Sequence, residues 1–307
     1  MKNTLGLPIA LLALVLVFGW SSDYFFSRDT FIAIANDIPS LLVLAVGMTY
    51  VLVIAGIDLS IGSVLALAGG LSAVAILEWH WNIPAAAALG LGCGVACGAI
   101  TGAVSVGWRV PSFIVSLGTL EIARGSAYLV TDSRTQYVGG AIGGLSNPLW
   151  LGISPAFLLA IAIVIASHVV LRHTVFGRYL IGIGTNEEAM RLAGIDPRPL
   201  KIVVFVLMGA LAALAGLMQI SRLEAADPNA GIGIELQVIA AVVIGGTSLM
   251  GGRGSVLNTF FGVLIVAVLE AGLAQVGASD PAKRIITGCV IIAAVLLDVY
   301  RQRSARG

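Results

Sequence analysis

Apolar positions in this chain fall in long continuous runs, and polar positions collect between them. Runs at 5–20, 41–57, 62–78, 83–107, 112–130, 154–171, 202–221, 236–250, 255–276 and 285–300 predict ten helical spans, because a bilayer core of ~30 Å takes about 20 residues of helix. The runs lack period-2 alternation, so helices rather than a barrel are expected. The first run follows Lys2 and lacks a small-x-small cleavage site, Trp20 interrupting that region, which predicts a retained span. Residues 21–40, with Tyr24, Phe25 and Phe26, suit an interfacial segment, and EWHWN at 78–82 suits an aromatic girdle.

The polar interruptions carry the information. GIDLSIGS (56–63) places Asp58 and Ser60 where a helix would otherwise continue. They either cap the third span or mark unwound backbone lining a polar cavity, where a bilayer tolerates such irregularity. GGTSLMGGRGS (245–255) interrupts the pattern a second time. GSVL occurs at 62–65 and again at 254–257, each opening a span after a polar break, the arrangement expected of a pathway at a repeat interface.

The longest polar interval in the second half is 172–201. Thr185 followed by Glu188 reads as a capping box, Glu187 and Glu188 suit the positive end of a helix dipole, and Gly194 with Pro197 and Pro199 ends the helix. Met190, Ala193 and Ile195 offer a small apolar contact. Such a helix either lies on the bilayer surface or plugs into another protein.

Within the spans, Gly90, Gly94, Gly98 and Gly102 recur at a spacing of four and predict a stripe for close helix packing. Glu121 and Arg124, at i and i+3, are expected side by side. Glu270 joins Asp58 and Ser60 as a pathway candidate, since polar groups in apolar surroundings need partners.

Composition agrees with a membrane protein: 58% hydrophobic, 11% charged, mean hydropathy +1.02. A net charge of +1 gives no reason to expect nucleic acid. Cys93, Cys97 and Cys289 lie in apolar runs without a CxxC pair, and the three histidines are scattered, so no metal site or disulfide framework is expected. The glycines of 245–255 lack the Lys-Ser/Thr of a nucleotide loop. Eleven of the Lys and Arg residues fall on the side of the termini and the 172–201 loop and five on the other, which places both termini in the cytoplasm. Lys283 and Arg284 run against that trend.

Four blocks, GIDLSIGSVLAL, VPSFIVSLGTLEIARG, GRYLIGIGTNEEAMRLAGI and ELQVIAAVVIGGTSLMGGRGS, together resemble the permease subunits of bacterial sugar ABC importers of the ribose, xylose and autoinducer-2 type. The resemblance extends over roughly 41–300. It implies an all-α polytopic protein forming a single permease domain, in the bacterial cytoplasmic membrane. It also implies a coupling helix that docks on a separate cytoplasmic ATP-binding subunit, a second permease copy or homologous permease, and a periplasmic or lipid-anchored solute-binding protein. ATP would be used by the partner, with no cofactor on this chain. In many ABC importer permeases the coupling helix carries Glu-Ala-Ala-x-x-x-Gly. Glu188, Ala189 and Gly194 match it, Met190 replaces the second Ala, and the Ile-x-Leu-Pro ending is absent. The implied coupling residues are Thr185, Glu187, Glu188, Ala189, Met190, Arg191 and Gly194. The implied cargo is a small polar solute, a monosaccharide or sugar-like polyol. An ion-coupled secondary transporter or channel would share the helical pattern without an ATPase, and would be expected to hold coupling acids deep in the bundle.

Overall fold

The computed structural model describes residues 6–292 apart from 23, 280, 284 and 291. The expected tenth span, 285–300, and the charges Lys2, Arg284, Arg301, Arg303 and Arg306 therefore lie largely or wholly outside the described residues.

The α-helices run, in chain order, α1 (Gly6–Ser21), α2 (Arg28–Asp37), α3 (Pro39–Val53), α4 (Ile61–Leu77), α5 (Ile83–Gly107), α6 (Ser112–Val130), α7 (Pro155–His173), α8 (Val175–Thr185), α9 (Glu187–Leu192), α10 (Pro197–Leu223), α11 (Ile234–Ile244) and α12 (Val256–Gln275), with further helical residues at 281–283 and 285–290. Three of the long ones start where the chain supplies both a cap and a proline. Asn82, Ser154 and Asp196 accept backbone N–H groups of the first turns of α5, α7 and α10, and each of these helices has proline at its start. α5, α6, α7, α10 and α12 are long and apolar enough to cross a bilayer, and α2 with α3, bent by 47°, makes a sixth candidate. α1, α4 and α11 are shorter apolar helices.

The centre of the bundle is α10, packed against α5, α4 and α3. The glycine stripe is responsible for its fit. A Cβ on Gly94 or Gly98 would collide with the carbonyl oxygens of Gly209 and Phe205 on α10, and one on Gly102 would lie 3.0 Å from the Phe205 Cβ. Gly90 faces α4 instead, where a Cβ would lie 2.8 Å from the Ala68 carbonyl oxygen. The side chains absent from this stripe are what let two backbones touch.

Several expectations are corrected. The segment 21–40 carries a helix the pattern did not separate: α2 occupies 28–37, and Phe25, fully buried, packs against Phe18, Phe26 and Phe31. Phe25 alone fills the gap between helices, while Tyr24 and Phe26 stay exposed at 78% and 56%, as an interfacial placement expects. The eighth span, expected over 236–250, stops as a helix at Ile244, where Gly245–Gly246 turn the chain and Gly246 has φ 82. Residues 172–201 hold not one short helix but α8, α9 and the start of α10, because Gly177, Leu180 and Ile183 form a buried stripe on α8. The Gly-rich stretch 131–150 contains a two-residue strand, β1 (Gln136–Tyr137), antiparallel to β2 (Ala225–Ala226). Glu121 and Arg124 form no ion pair. Arg124 instead donates to the carbonyls of Pro228, which is buried, and Ala230, which is half-buried, because carbonyls taken from water need a donor more than exposed Glu121 does.

Candidate functional site

The first polar break begins where α3 ends. Ala55 takes the left-handed conformation, φ 59, and the N–H of Gly56 donates to the Val51 carbonyl at 2.9 Å, closing the helix end. Residues 56–60 then run along the first turns of α6, whose hydroxyls replace the missing ladder. Ile57 N donates to Ser112 Oγ at 2.9 Å and Leu59 N to Ser116 Oγ at 3.0 Å. Asp58 is 2% exposed, and its Oδ1 accepts both from Ser60 N at 2.9 Å and from Ser60 Oγ at 2.6 Å. Ser60 stands at the N-cap of α4 but makes no side-chain cap bond there, since its hydroxyl is spent on Asp58. Ser63, in the first turn of α4, is buried with its hydroxyl unpartnered.

The second re-entrant stretch comes from the opposite end of the bundle. After α10, Glu224 turns the chain at φ 53, and residues 227–233 pass inward beside α6. Arg124 holds Pro228 and Ala230, and Tyr128 Oη donates to Asn229 Oδ1 at 2.6 Å. This stretch reaches Gly62: a Cβ there would collide with the Gly231 carbonyl oxygen and lie 3.1 Å from Glu235 Oε2. The first turns of two shortened helices, α4 and α11, therefore meet. Each presents the positive end of its dipole, with the Glu235 carboxylate of α11 beside the first turn of α4, an arrangement suited to a polar solute passing between half-helices.

Ser116→Ala tests how the break is held. Leu59 N, half-buried, loses its acceptor, which costs about 1 kcal/mol. The expected result is a fall in the thermal midpoint of purified protein, whereas Ser116→Thr retains most of the stability; an unchanged midpoint for the alanine variant rules out this anchoring.

Glu270, the third pathway candidate, is not brought to Asp58 or Ser60. It lies on α12 and accepts from Gln237 Nε2 of α11 at 2.9 Å.

At the end of the bundle where α3 and α5 terminate, α9 lies on the surface. The cap expected from Thr185 is made by Asn186, whose Oδ1 accepts from Ala189 N at 3.0 Å. Thr185 is the last residue of α8, and its hydroxyl donates back to Ile181 O at 2.7 Å. The reason is register: α8 continues one residue further than a loop would, so the first non-helical residue is Asn186. Gly194 follows α9 in the left-handed position, φ 81.

The helix has two faces. Glu187, Met190 and Arg191 are half-buried, with Glu187 bonded to Arg191 at 3.1 Å and to Lys201 of α10 at 3.0 Å. Glu188, Ala189 and Leu192 are exposed, Leu192 at 83%. Sequence reasoning missed Leu192, although its i+4 spacing from Glu188 was a usable signal. It also missed Ser112 and Ser116, again at i and i+4, and Met250, 85% exposed in the turn after α11. That turn abuts α8: Gly252 N donates to Val53 O at 2.9 Å, and a Cβ on Gly184 would lie 2.5 Å from the same nitrogen.

Known proteins resemble this chain over most of its length. Residues 30–295 match the family described as "Branched-chain amino acid transport system / permease component". The chain is 38% identical over 301 residues to the ribose import permease protein RbsC of Escherichia coli, covering 96% of this chain and 93% of that one. It is 39% identical over 272 residues to the RbsC of Bacillus subtilis, covering 85% and 81%. It is 36% identical over 263 residues to the L-arabinose transport system permease protein AraH of Escherichia coli, covering 85% and 80%. No solved structure matches it. A family match across nearly the whole described chain, on an all-helical fold with broken spans, makes this protein a member of the branched-chain amino acid transport system / permease component family.

Proposed function

We propose that this chain is the membrane-spanning permease subunit of an ATP-driven ABC importer for a sugar of the ribose or arabinose kind. The observation that carries the reading is the 38% identity to a ribose import permease across 96% of the chain. The broken spans support it, since a hydroxyl-rich solute needs hydrogen-bonding groups within the bilayer and the 56–60 and 227–233 stretches supply backbone and side-chain polar atoms there. The relatives named as import permeases do not favour the ion-coupled alternative.

In this reading the chain works as a single permease domain with a second copy, both termini and α9 are cytoplasmic, and a solute-binding protein delivers cargo from outside. ATP is bound and hydrolysed by a partner subunit that grips the exposed face of α9. Closure of the partner would favour one orientation of the pathway only if it binds that state more tightly than the other. Glu187 ties α9 to Lys201 of α10 and is braced by Arg191 within the helix, which gives such a push a direct route to α10.

The test is a detergent pull-down with the full chain as bait, alongside Glu188→Arg/Leu192→Asp. Both positions are exposed, so the variant is expected to fold. Wild type should bring down an ATP-binding subunit, and the variant should retain roughly tenfold less of it. A wild-type chain that comes down alone yet moves sugar in liposomes under an ion gradient would overturn the importer reading. Full retention by the variant would remove α9 as the docking element.

A further inference from the structure

A cavity of about 350 Å3 opens between the end of α5, the first turn of α10 and α9, within the ~300–1,000 Å3 range of small-molecule sites. Arg109, Arg191, Arg198 and Lys201 line it, against one carboxylate, Glu187. That carboxylate is already engaged on both oxygens, by Arg191 and Lys201. Arg109 and Arg198 take part in no ion pair among the described residues. The lining thus carries an excess of positive charge with two guanidinium groups available. The start of the 27-residue α10 also lies here, capped by the Asp196 carboxylate, which accepts from Arg198 N at 3.0 Å and leaves the Arg198 guanidinium free of an ion pair among the described residues. Arg109 is held with φ 56, a conformation rarely taken by a side-chain-bearing residue, so its place at the rim is dictated by the fold rather than by its own preference.

The surroundings indicate where the anion comes from. Trp108, next to Arg109, is 74% exposed. Phe113, Ile114 and Leu117 of α6 are also exposed, and α6 leaves directly from the cavity wall at Pro111 and Ser112. An apolar strip therefore runs from the cavity along a membrane-crossing helix, beginning at an interfacial tryptophan. A soluble phosphate would have no use for that strip, whereas the acyl chains of a lipid would cover it. Basic pockets between helices at the cytoplasmic side are suited to anionic headgroups.

We propose that this cavity binds the phosphate of an anionic phospholipid headgroup, with Arg109 and Arg198 as its ligands and the acyl chains lying along α6. The inference holds whichever solute is carried, and whether or not α9 docks an ATPase.

The experiment is a lipid titration of the purified full chain in neutral detergent, read by native mass spectrometry. Phosphatidylglycerol is compared with phosphatidylcholine of the same chains. Wild type should retain phosphatidylglycerol roughly tenfold better, and Arg109→Gln/Arg198→Gln should lose that preference. Arg109→Lys/Arg198→Lys should keep most of it, and Arg178→Gln, outside the cavity, should leave it intact. If the double glutamine variant does not purify as a folded species, Arg198→Gln alone should show an intermediate loss. Equal retention of both lipids by wild type, or an undiminished preference in the glutamine variants, would overturn the proposal. So would binding of inorganic phosphate, used as a soluble probe, by a chain that does not prefer phosphatidylglycerol. Loss of ATPase co-purification in the double variant with lipid retention unchanged would assign the arginines to protein docking and equally overturn it.

Discussion

Gly98→Val is expected to lower the yield of folded, monodisperse protein roughly tenfold or more. The first atom added would already collide with the Phe205 carbonyl oxygen and lie about 3.0 Å from its carbon. Both are backbone atoms of α10, so no rotamer change relieves the clash, and the two helices must separate. Separation would strip contact from α10, whose Phe205, Met208 and Ala212 are almost fully buried. Overpacking typically costs about 1–3 kcal/mol, and a clash of backbone against Cβ belongs at the upper end. Gly92 on the same helix has open space where a Cβ would stand, with no neighbouring atom within 4 Å, and serves as the control. Size-exclusion profiles of Gly98→Val and Gly92→Val, expressed in parallel, decide the point: equal profiles would mean that α5 and α10 do not pack this way.

Gly184→Val should produce the second large effect, on coupling rather than on assembly. A Cβ at Gly184 would collide with the Val53 carbonyl oxygen at the end of α3 and approach Gly252 N to 2.5 Å. Those two groups are themselves hydrogen bonded at 2.9 Å. Three elements thus meet at one point: α8, which carries α9; the end of α3, which leads into the 56–60 break; and the turn that leads into α12. In the proposed importer a push on α9 reaches the 56–60 break and the turn between α11 and α12 through this contact. Wedging it apart should reduce ATP-driven sugar uptake in proteoliposomes roughly tenfold, within the range of typical coupling energies, while the ATP-binding subunit still co-purifies. Gly182→Ala is the contrast, because the nearest atom there is the Met190 sulfur, the flexible end of a side chain that can shift. Its uptake should stay within about twofold of wild type. Loss of uptake in both variants alike would show that α8 is merely fragile and carries no specific coupling.

Much of this was legible in the chain before any fold was known. A glycine every fourth residue on a helix of 3.6 residues per turn must share one face, so a stripe at Gly90, Gly94, Gly98 and Gly102 follows from spacing alone. Long apolar runs make bilayer spans for the same kind of reason, since an unpaired backbone cannot be left in hydrocarbon. The existence of α9 and its left-handed exit at Gly194 are likewise local, written in acids, a glycine and two prolines.

What the chain could not declare by itself was which partners satisfy which polar groups. Asp58 was visible as an anomaly, but whether it capped a helix depended on Ser60 spending its hydroxyl on that carboxylate and on Ser112 and Ser116 arriving from a helix more than fifty residues away. Arg124 had a carboxylate within one turn, yet the fold gave it two carbonyls from residues 228 and 230. The cap of α9 moved from Thr185 to Asn186 because α8, with Leu180 and Ile183 buried, runs on through Thr185, one residue further than local propensity requires. Spacing along a helix is a property of the chain; hydrogen-bond satisfaction in a buried interior is a property of what the other helices bring, and only their packing decides it.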